Sequence, residues 1–324
     1  MENIVKPRIG FIGVGSITDS HIEAAISSGF EVYALHTRKN DNKMSEIATK
    51  YNIKLTSLNL DEFINWNLDA IGILVSPNQL SKVYSQVEKL NIPILIEKPV
   101  GVSPRDFDLI SNLNNPSTLV GFNRRFLSTI QKLKGDIYSL GECSAFVEIP
   151  ELVNSTNFSY DEAKKQVMVN SVHVLDLLLY LFGPIKHISK FSNKDHFGVY
   201  AINALIKHES GTVINLIITF GVPGNTSITC NFPKSKVELK PLENYSKCNS
   251  MIINKSIKNN NIKRYTPKIQ ELISLYNLDN QLKPGFEGMY SAFMDIVQNK
   301  KNSISASLID AKHANHLANI LISD

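Results

Sequence analysis

Over its first 122 residues the chain alternates between two hydrophobic periods. Short, continuous apolar runs stand at 9–12, 32–35, 53–55, 71–75, 93–96 and 119–122. Runs of this length without polar alternation mark strands buried on both faces. Between them lie stretches with helical spacing, at 17–28, 43–51, 60–66, 80–90 and 104–113. Strand–helix alternation predicts a Rossmann-type, doubly wound parallel sheet, its right-handed crossovers laying helices on both faces.

Beyond residue 125 the pattern changes. A helix over 127–137 precedes a strand at 141–149, and an apolar helix over 172–182 stops at Gly183-Pro184. Strands at 185–191, 199–206, 213–220 and 227–232 follow, joined by turns such as Glu209-Ser-Gly-Thr212 and Gly221-Val-Pro-Gly224. The end is helical again, over 286–298 and 309–322. These elements predict an α/β protein in two domains. Residues 1–122 form the Rossmann half, and residues 123–324 an α+β half with an open, mostly antiparallel sheet.

Composition adds limits rather than identity. At 324 residues, 43% hydrophobic and 20% charged, the chain suits two packed domains. Its net charge of +4 is concentrated between Lys234 and Lys268, where nine Lys/Arg residues face two acids. That stretch reads as a solvated, partly irregular excursion, with a patch for an anionic substrate as the alternative. No recognition motif accompanies the charge, so nucleic acid is not an expected partner. The most apolar segment, 172–182, is too short to span a bilayer and is interrupted by His173 and Asp176. No membrane partner is expected. Cys143, Cys230 and Cys248 lack metal or disulfide spacing, and the N-terminus lacks a signal pattern. A cytoplasmic protein without a metal is the expectation.

The chemistry concentrates in two segments. Arg8-Ile-Gly-Phe-Ile-Gly-Val-Gly-Ser-Ile-Thr-Asp-Ser-His21 reads as a strand running into a glycine turn that opens a helix. Gly13 permits the turn, Gly15 lets a pyrophosphate approach, and the N–H groups that follow, at Ser16 and Ile17, can donate to it. Thr18 replaces the third small residue of the dinucleotide fingerprint. The second strand ends in His36-Thr37-Arg38, without the acid that would bind the ribose hydroxyls of NAD. Thr37 and Arg38 suit a 2′-phosphate, which favours NADP(H), with NAD(H) the alternative. The second segment, Ile94-Leu-Ile-Glu-Lys-Pro99, delivers Lys98 at the end of an apolar strand. Lys98 is a candidate acid/base there.

These motifs occur in order with Ser76-Pro77-Asn78, Gly121-Phe-Asn-Arg-Arg125 and His173-Val-Leu-Asp176. Together they resemble the glucose–fructose oxidoreductase/inositol dehydrogenase (Gfo/Idh/MocA) family along essentially the whole chain. The resemblance implies a pyridine-nucleotide oxidoreductase acting on a hydroxyl or keto carbon of a sugar or sugar derivative. It implies cofactor contacts at Ser76, Pro77, Asn78, Glu97 and Lys98, and catalysis by Lys98 with His173. It also implies a homodimer or homotetramer associating through the C-terminal sheet.

His173, Asp176 and Tyr180 fall on one stripe of an otherwise apolar helix, and a buried polar stripe needs partners. A polyhydroxylated substrate would supply them, with Asn123, Arg124 and Asn170 as further contacts; a His–Asp pair satisfied internally is the other reading. The family commonly carries an aspartate four residues before this histidine. Here Val169 stands in that place, followed by Asn170, which cannot relay a proton. Ser81 likewise stands where the family often has a histidine. The alternative function is therefore a dinucleotide-binding regulator or scaffold of the same fold without turnover.

Overall fold

The computed structural model describes residues 5–39, 42–101, 110, 115–152, 159–196, 198–255, 262–275 and 282–323. The chain forms two compact units, residues 1–126 with 280–316, and residues 127–279 with 317–324.

The first unit is built on six parallel strands: β1 (Arg8–Ile12), β2 (Glu31–His36), β3 (Leu55–Ser57), β4 (Ala70–Ile73), β5 (Ile94–Ile96) and β6 (Thr118–Val120). Their order, β3-β2-β1-β4-β5-β6, is that of a doubly wound dinucleotide fold. β4 and β5 are buried at every position, which is why their sequences show apolar runs without alternation. Helices α1 (Thr18–Ser27), α2 (Asn42–Lys50), α3 (Leu60–Ile64) and α4 (Pro77–Val87) connect the strands. The helix expected over 104–113 lies almost wholly outside the described residues.

The single boundary expected at 122/123 is corrected by the structure. Residues 280–316 return to the first unit because helix α8 (Phe286–Val297) carries Phe286, Met289, Tyr290 and Phe293 at i, i+3, i+4 and i+7. That stripe fills the same core as Ile9, Phe11, Ile22 and Phe30. Farther on, Val120 N–H donates to Ala306 O at 2.8 Å, covering the edge of β6.

The second unit carries an eight-stranded sheet in the order β14-β13-β12-β11-β7-β10-β9-β8. Its members are β7 (Ser144–Glu151), β8 (Ile185–Lys194), β9 (Val199–His208), β10 (Val213–Phe220), β11 (Ser227–Phe232), β12 (Ser235–Leu239), β13 (Asn244–Lys255) and β14 (Lys263–Ser274). Every pairing is antiparallel except β7 with β10. Ala145, Val147 and Ile149 of β7 alternate into a core shared with α5 (Ser128–Leu140) and α7 (Val172–Phe182). A short helix, α6 (Tyr160–Gln166), and a π-helical turn, Val167–Ser171, lead into α7. The last helix, α9 (Leu308–Ile322), closes the chain.

Among its described residues the basic stretch 234–268 is mostly strand rather than irregular. It supplies β12, β13 and the start of β14, although much of β13 and most of β14 is exposed, as the solvated reading expected.

Candidate active site

Register aligns the strand ends of the first unit. His36, Ile12, Ile73, Ile96 and Val120 lie in one row across β2, β1, β4, β5 and β6. The ladder continues one residue past each end. Gly13 N–H donates to His36 O, Leu74 N–H to Ile12 O, Glu97 N–H to Ile73 O and Gly121 N–H to Ile96 O, at 2.8, 2.7, 3.1 and 2.8 Å. The candidate residues that follow β1, β2, β4, β5 and β6 therefore share the carboxyl edge of a parallel sheet, where open α/β folds bind ligands. Two strand spacings, about 10 Å, separate the row positions of Gly13 and Glu97.

The glycine turn fits a dinucleotide. Gly13 has φ +103°, and a Cβ there would stand 2.8 Å from the Leu74 backbone. A Cβ on Gly15 would meet nothing within 4 Å, so protein packing does not require that glycine, whereas a close-approaching phosphate would. Thr18, fully buried, accepts Gly15 N–H at 2.8 Å through Oγ1 and ties the turn to the helix it opens. Ser16 is exposed and Ile17 half-buried at that helix start. Lys43 of α2 donates to Gly15 O at 2.8 Å, bringing a cation to the turn.

At the end of β2 the three residues divide their work. His36 is buried, its Nδ1 3.0 Å from Ser57 O, and burial pushes its pKa down, keeping the ring neutral. Thr37 is half-buried and Arg38 exposed. Arg38 Nη1 donates to Gln79 Oε1 at 3.0 Å, which links it to the first turn of α4 beside Ser76, Pro77 and Asn78.

Glu97 is braced from two sides. One oxygen accepts Lys98 N–H at 3.1 Å, and the other stands 3.0 Å from His21 Nε2. A Cβ on Gly121 would approach that second oxygen to 2.9 Å, so this glycine makes room for the carboxylate. Lys98 is half-buried, and the Lys98–Pro99 peptide is cis. Asn123 Nδ2 donates to Pro284 O at 2.9 Å. Arg124 is half-buried, while its neighbour Arg125 is buried and reaches Asp310 at 3.5 Å.

In the second unit, Asn170 ends up exposed on the π-helical turn, His173 is 9% exposed, and Asp176 is fully buried on α7. Tyr180 of the same stripe turns toward α5. Gln131 Nε2 donates to its hydroxyl at 3.0 Å, and Lys134 Nζ sits 3.2 Å from its ring centroid. Lys98 and His173, the expected catalytic residues, belong to different units. Among the described residues no group of three His, Cys, Asp or Glu side chains is arranged to hold a metal, and no helix is long and apolar enough to cross a membrane.

Residues 7–115 match the GFO_IDH_MocA model, described as an oxidoreductase family with an NAD-binding Rossmann fold. That segment is similar to the Gfo/Idh/MocA family. No curated protein matches the chain. Solved structures match nearly its full length. A dehydrogenase (MviM) from Clostridium difficile is 19% identical over 98% of this chain and 99% of its own, with a TM-score of 0.76. Levoglucosan dehydrogenase in complex with NADH is 11% identical over 98% and 96%, with a TM-score of 0.78. UDP-N-acetylglucosamine 3-dehydrogenase from Acidithiobacillus ferrooxidans is 16% identical over 98% and 97%, with a TM-score of 0.74. At these identities the likeness establishes the fold of both units.

Sequence reasoning missed Lys43, Gln79 and the Tyr290 hydroxyl, which meets His21 Nδ1 at 2.8 Å. Lys43 lies five residues past Arg38 in an ordinary amphipathic helix, and nothing local marks it. Tyr290 carried a signal only as part of the closing Phe286-Glu-Gly-Met-Tyr290 stretch.

Proposed function

We propose that the chain is an NAD(P)-dependent oxidoreductase acting on a hydroxyl or keto carbon of a sugar or sugar derivative. The observation that carries this reading is Lys98. A carboxylate braces its backbone on the same sheet edge as the glycine turn. The bound dinucleotide supplies or accepts the hydride at its nicotinamide. Gly13, Gly15 and the N–H groups of Ser16 and Ile17 would hold the pyrophosphate, with Lys43 adding charge. Thr37 and Arg38 would take a 2′-phosphate, which favours NADP(H) over NAD(H), and Ser76, Pro77 and Asn78 would line the same edge.

Lys98 gives a proton to the substrate oxygen in reduction and takes one in oxidation. Glu97 positions it. On the substrate side the reading assigns Asn123, Arg124, Asn170 and His173, with Asp176, which has no exposed surface, acting through a neighbour. Two fold relatives are named as dehydrogenases of a sugar and a nucleotide sugar, which supports the substrate class.

The reading includes a homodimer or homotetramer formed through the second sheet. Phe146, Phe191 and Leu205 project outward there around a depression of about 660 Å³. It also includes a cytoplasmic setting, since all three cysteines are free thiols.

One observation favours the regulator: Val169 stands where a catalytic carboxylate is common in the family. A single experiment separates the two. NADPH and NADH are titrated by fluorescence, and absorbance of reduced nicotinamide is then followed with a panel of sugars, ketosugars and cyclitols. Dinucleotide binding with turnover is expected. Tight binding without turnover of any compound selects the regulator, and no binding overturns both.

A further inference from the structure

Glu151, at the end of β7, is 4% exposed and belongs to none of the sequence motifs. One of its oxygens accepts the Ser171 hydroxyl, and the other accepts Asn170 Nδ2–H at 3.3 Å. Gln166 Oε1 accepts from the same Asn170 nitrogen at 2.7 Å. Gln166 and Asn170 are four residues apart, at the start and within the π-helical turn, a distortion that recurs at functional sites. Glu151 Oε2 accepts in this contact, which marks the end of the Asn170 amide facing it as nitrogen. Both N–H bonds of that amide are then committed. The capacity left to this exposed residue is Oδ1, an acceptor.

We propose that Glu151 is a positioning residue that commits Asn170 to acceptor-only recognition. This turn would then read a hydroxyl donor of a neutral sugar and disfavour a carboxylate at the same place. The inference rests on the proposed sugar oxidoreductase and narrows its substrate class. The physical reason is that an anionic group has no proton to give Oδ1. The reading opposes the acidic substrate that the basic 234–268 stretch suggested.

The test uses the full chain saturated with NADPH. Binding of glucose and glucuronate, galactose and galacturonate, and myo-inositol is measured by calorimetry. At least one neutral sugar is expected to bind about tenfold or more tightly than its uronate. Glu151→Ala and Gln166→Leu each free the amide to rotate, and the preference should fall below about threefold. Glu151→Gln keeps an acceptor oxygen and should retain it. If Glu151→Ala fails to fold, Gln166→Leu and Glu151→Gln still decide.

A ligand-free readout is hydrogen exchange of the Asn170 side-chain amide by NMR, identified by its loss in Asn170→Ala. It should be slow in the parent and about tenfold faster in Gln166→Leu. An unchanged preference together with unchanged exchange overturns the role of Glu151 and leaves the oxidoreductase reading intact. If NADPH binds and no sugar does, the sugar reading falls and this inference with it.

Discussion

His21 Nε2 stands 3.0 Å from Glu97 Oε1, an electrostatic contact rather than an aligned hydrogen bond, and it is the middle of a three-part brace. On one side, Tyr290 OH lies 2.8 Å from His21 Nδ1. Burial, with the Glu97 charge adding to it, pushes that phenol well above its ordinary pKa, so it remains a donor. On the other side, Glu97 Oε2 accepts Lys98 N–H. The brace carries rigidity from the α1–α8 core to the backbone of the candidate acid/base. Glu97→Ala is expected to lower stability by about 1–3 kcal/mol, because His21 then faces nothing. It should also lower turnover about tenfold or more while NADPH affinity changes less. Denaturant titration with steady-state rates checks this, and an unchanged rate would remove Glu97 as a positioning residue.

Gly13 and Gly15 separate fold from ligand. Gly13→Ala places a Cβ 2.8 Å from the Leu74 backbone at a φ that L residues avoid. A loss of roughly 2 kcal/mol or more is expected, since such strain and overpacking each cost about 1–3 kcal/mol. Gly15→Ala enters open space, so stability should stay within about 0.5 kcal/mol, as for ordinary surface changes. Its dinucleotide affinity should nonetheless fall, on the order of tenfold, because the methyl occupies phosphate space. Thermal melts with and without NADPH read both quantities. Equal destabilisation by the two variants would contradict the division.

Lys98→Met keeps the apolar stem and deletes the proton carrier. Turnover should fall by roughly 10²–10⁴-fold, the usual contribution of a positioned acid/base. NADPH affinity is expected to change by less than about threefold, a margin well under 1.4 kcal/mol per decade. Lys98→Arg should not restore activity, since a guanidinium does not release its proton near neutrality. Parent-like rates in Lys98→Met would instead favour the regulator.

The legible part of this molecule was what local periodicity encodes. β1, β4 and β5 are short, apolar and almost wholly buried, and their sequences state as much. β13 and β14 are the opposite case. They pair from Asn244↔Ser274 to Lys255↔Lys263, with Lys, Asn and Ser alternating among solvent-exposed residues, so no buried face imprints a period. The return of 280–316 to the first unit depends on Tyr290 and Phe293 meeting Phe11 and Phe30 across more than 250 positions. In the site, glycines and Lys98 were legible because turns and strand ends demand them locally. Lys43, Gln79 and Glu151 were not, because their meaning arises from partners on other elements.

Arg38 is the residue on which cofactor choice turns. Gln79 holds its guanidinium at 3.0 Å beside the first turn of α4, and no acid accompanies it at the end of β2. Arg38→Ala should weaken NADPH by about tenfold or more, the loss of one charge-assisted contact of about 1.5–3 kcal/mol. NADH should change little, so the affinity ratio collapses. Gln79→Ala is expected to move the ratio in the same direction by a smaller factor. Fluorescence titration of both dinucleotides reads the ratio, and equal weakening of the two would place Arg38 over adenine instead.

Two histidines set the acid side of stability. His208 is fully buried with Nδ1 2.7 Å from Gly183 O, and His36 is nearly so beside Ser57 O. Burial lowers both pKa values below 6.5, outweighing the backbone carbonyl that each ring meets. Below about pH 6.5 the unfolded chain therefore binds protons that the folded chain refuses. Their contribution is complete above pH 6.5 and is lost as pH falls toward the folded pKa values. Asp19 and Glu31, held low chiefly by hydrogen bonds from Lys50 and Lys54, act in a lower window, beginning near their ordinary values of 3.8 and 4.5. Denaturant titrations at pH 7.5, 6.5 and 5.5 should show stability falling toward 5.5, approaching about 1.4 kcal/mol per pH unit for each histidine. His208→Asn keeps an N–H for Gly183 O and cannot titrate, so its slope should be shallower by up to one proton. A parent-like slope in that variant would show that His208 titrates alike in the folded and unfolded chain, and would overturn its role.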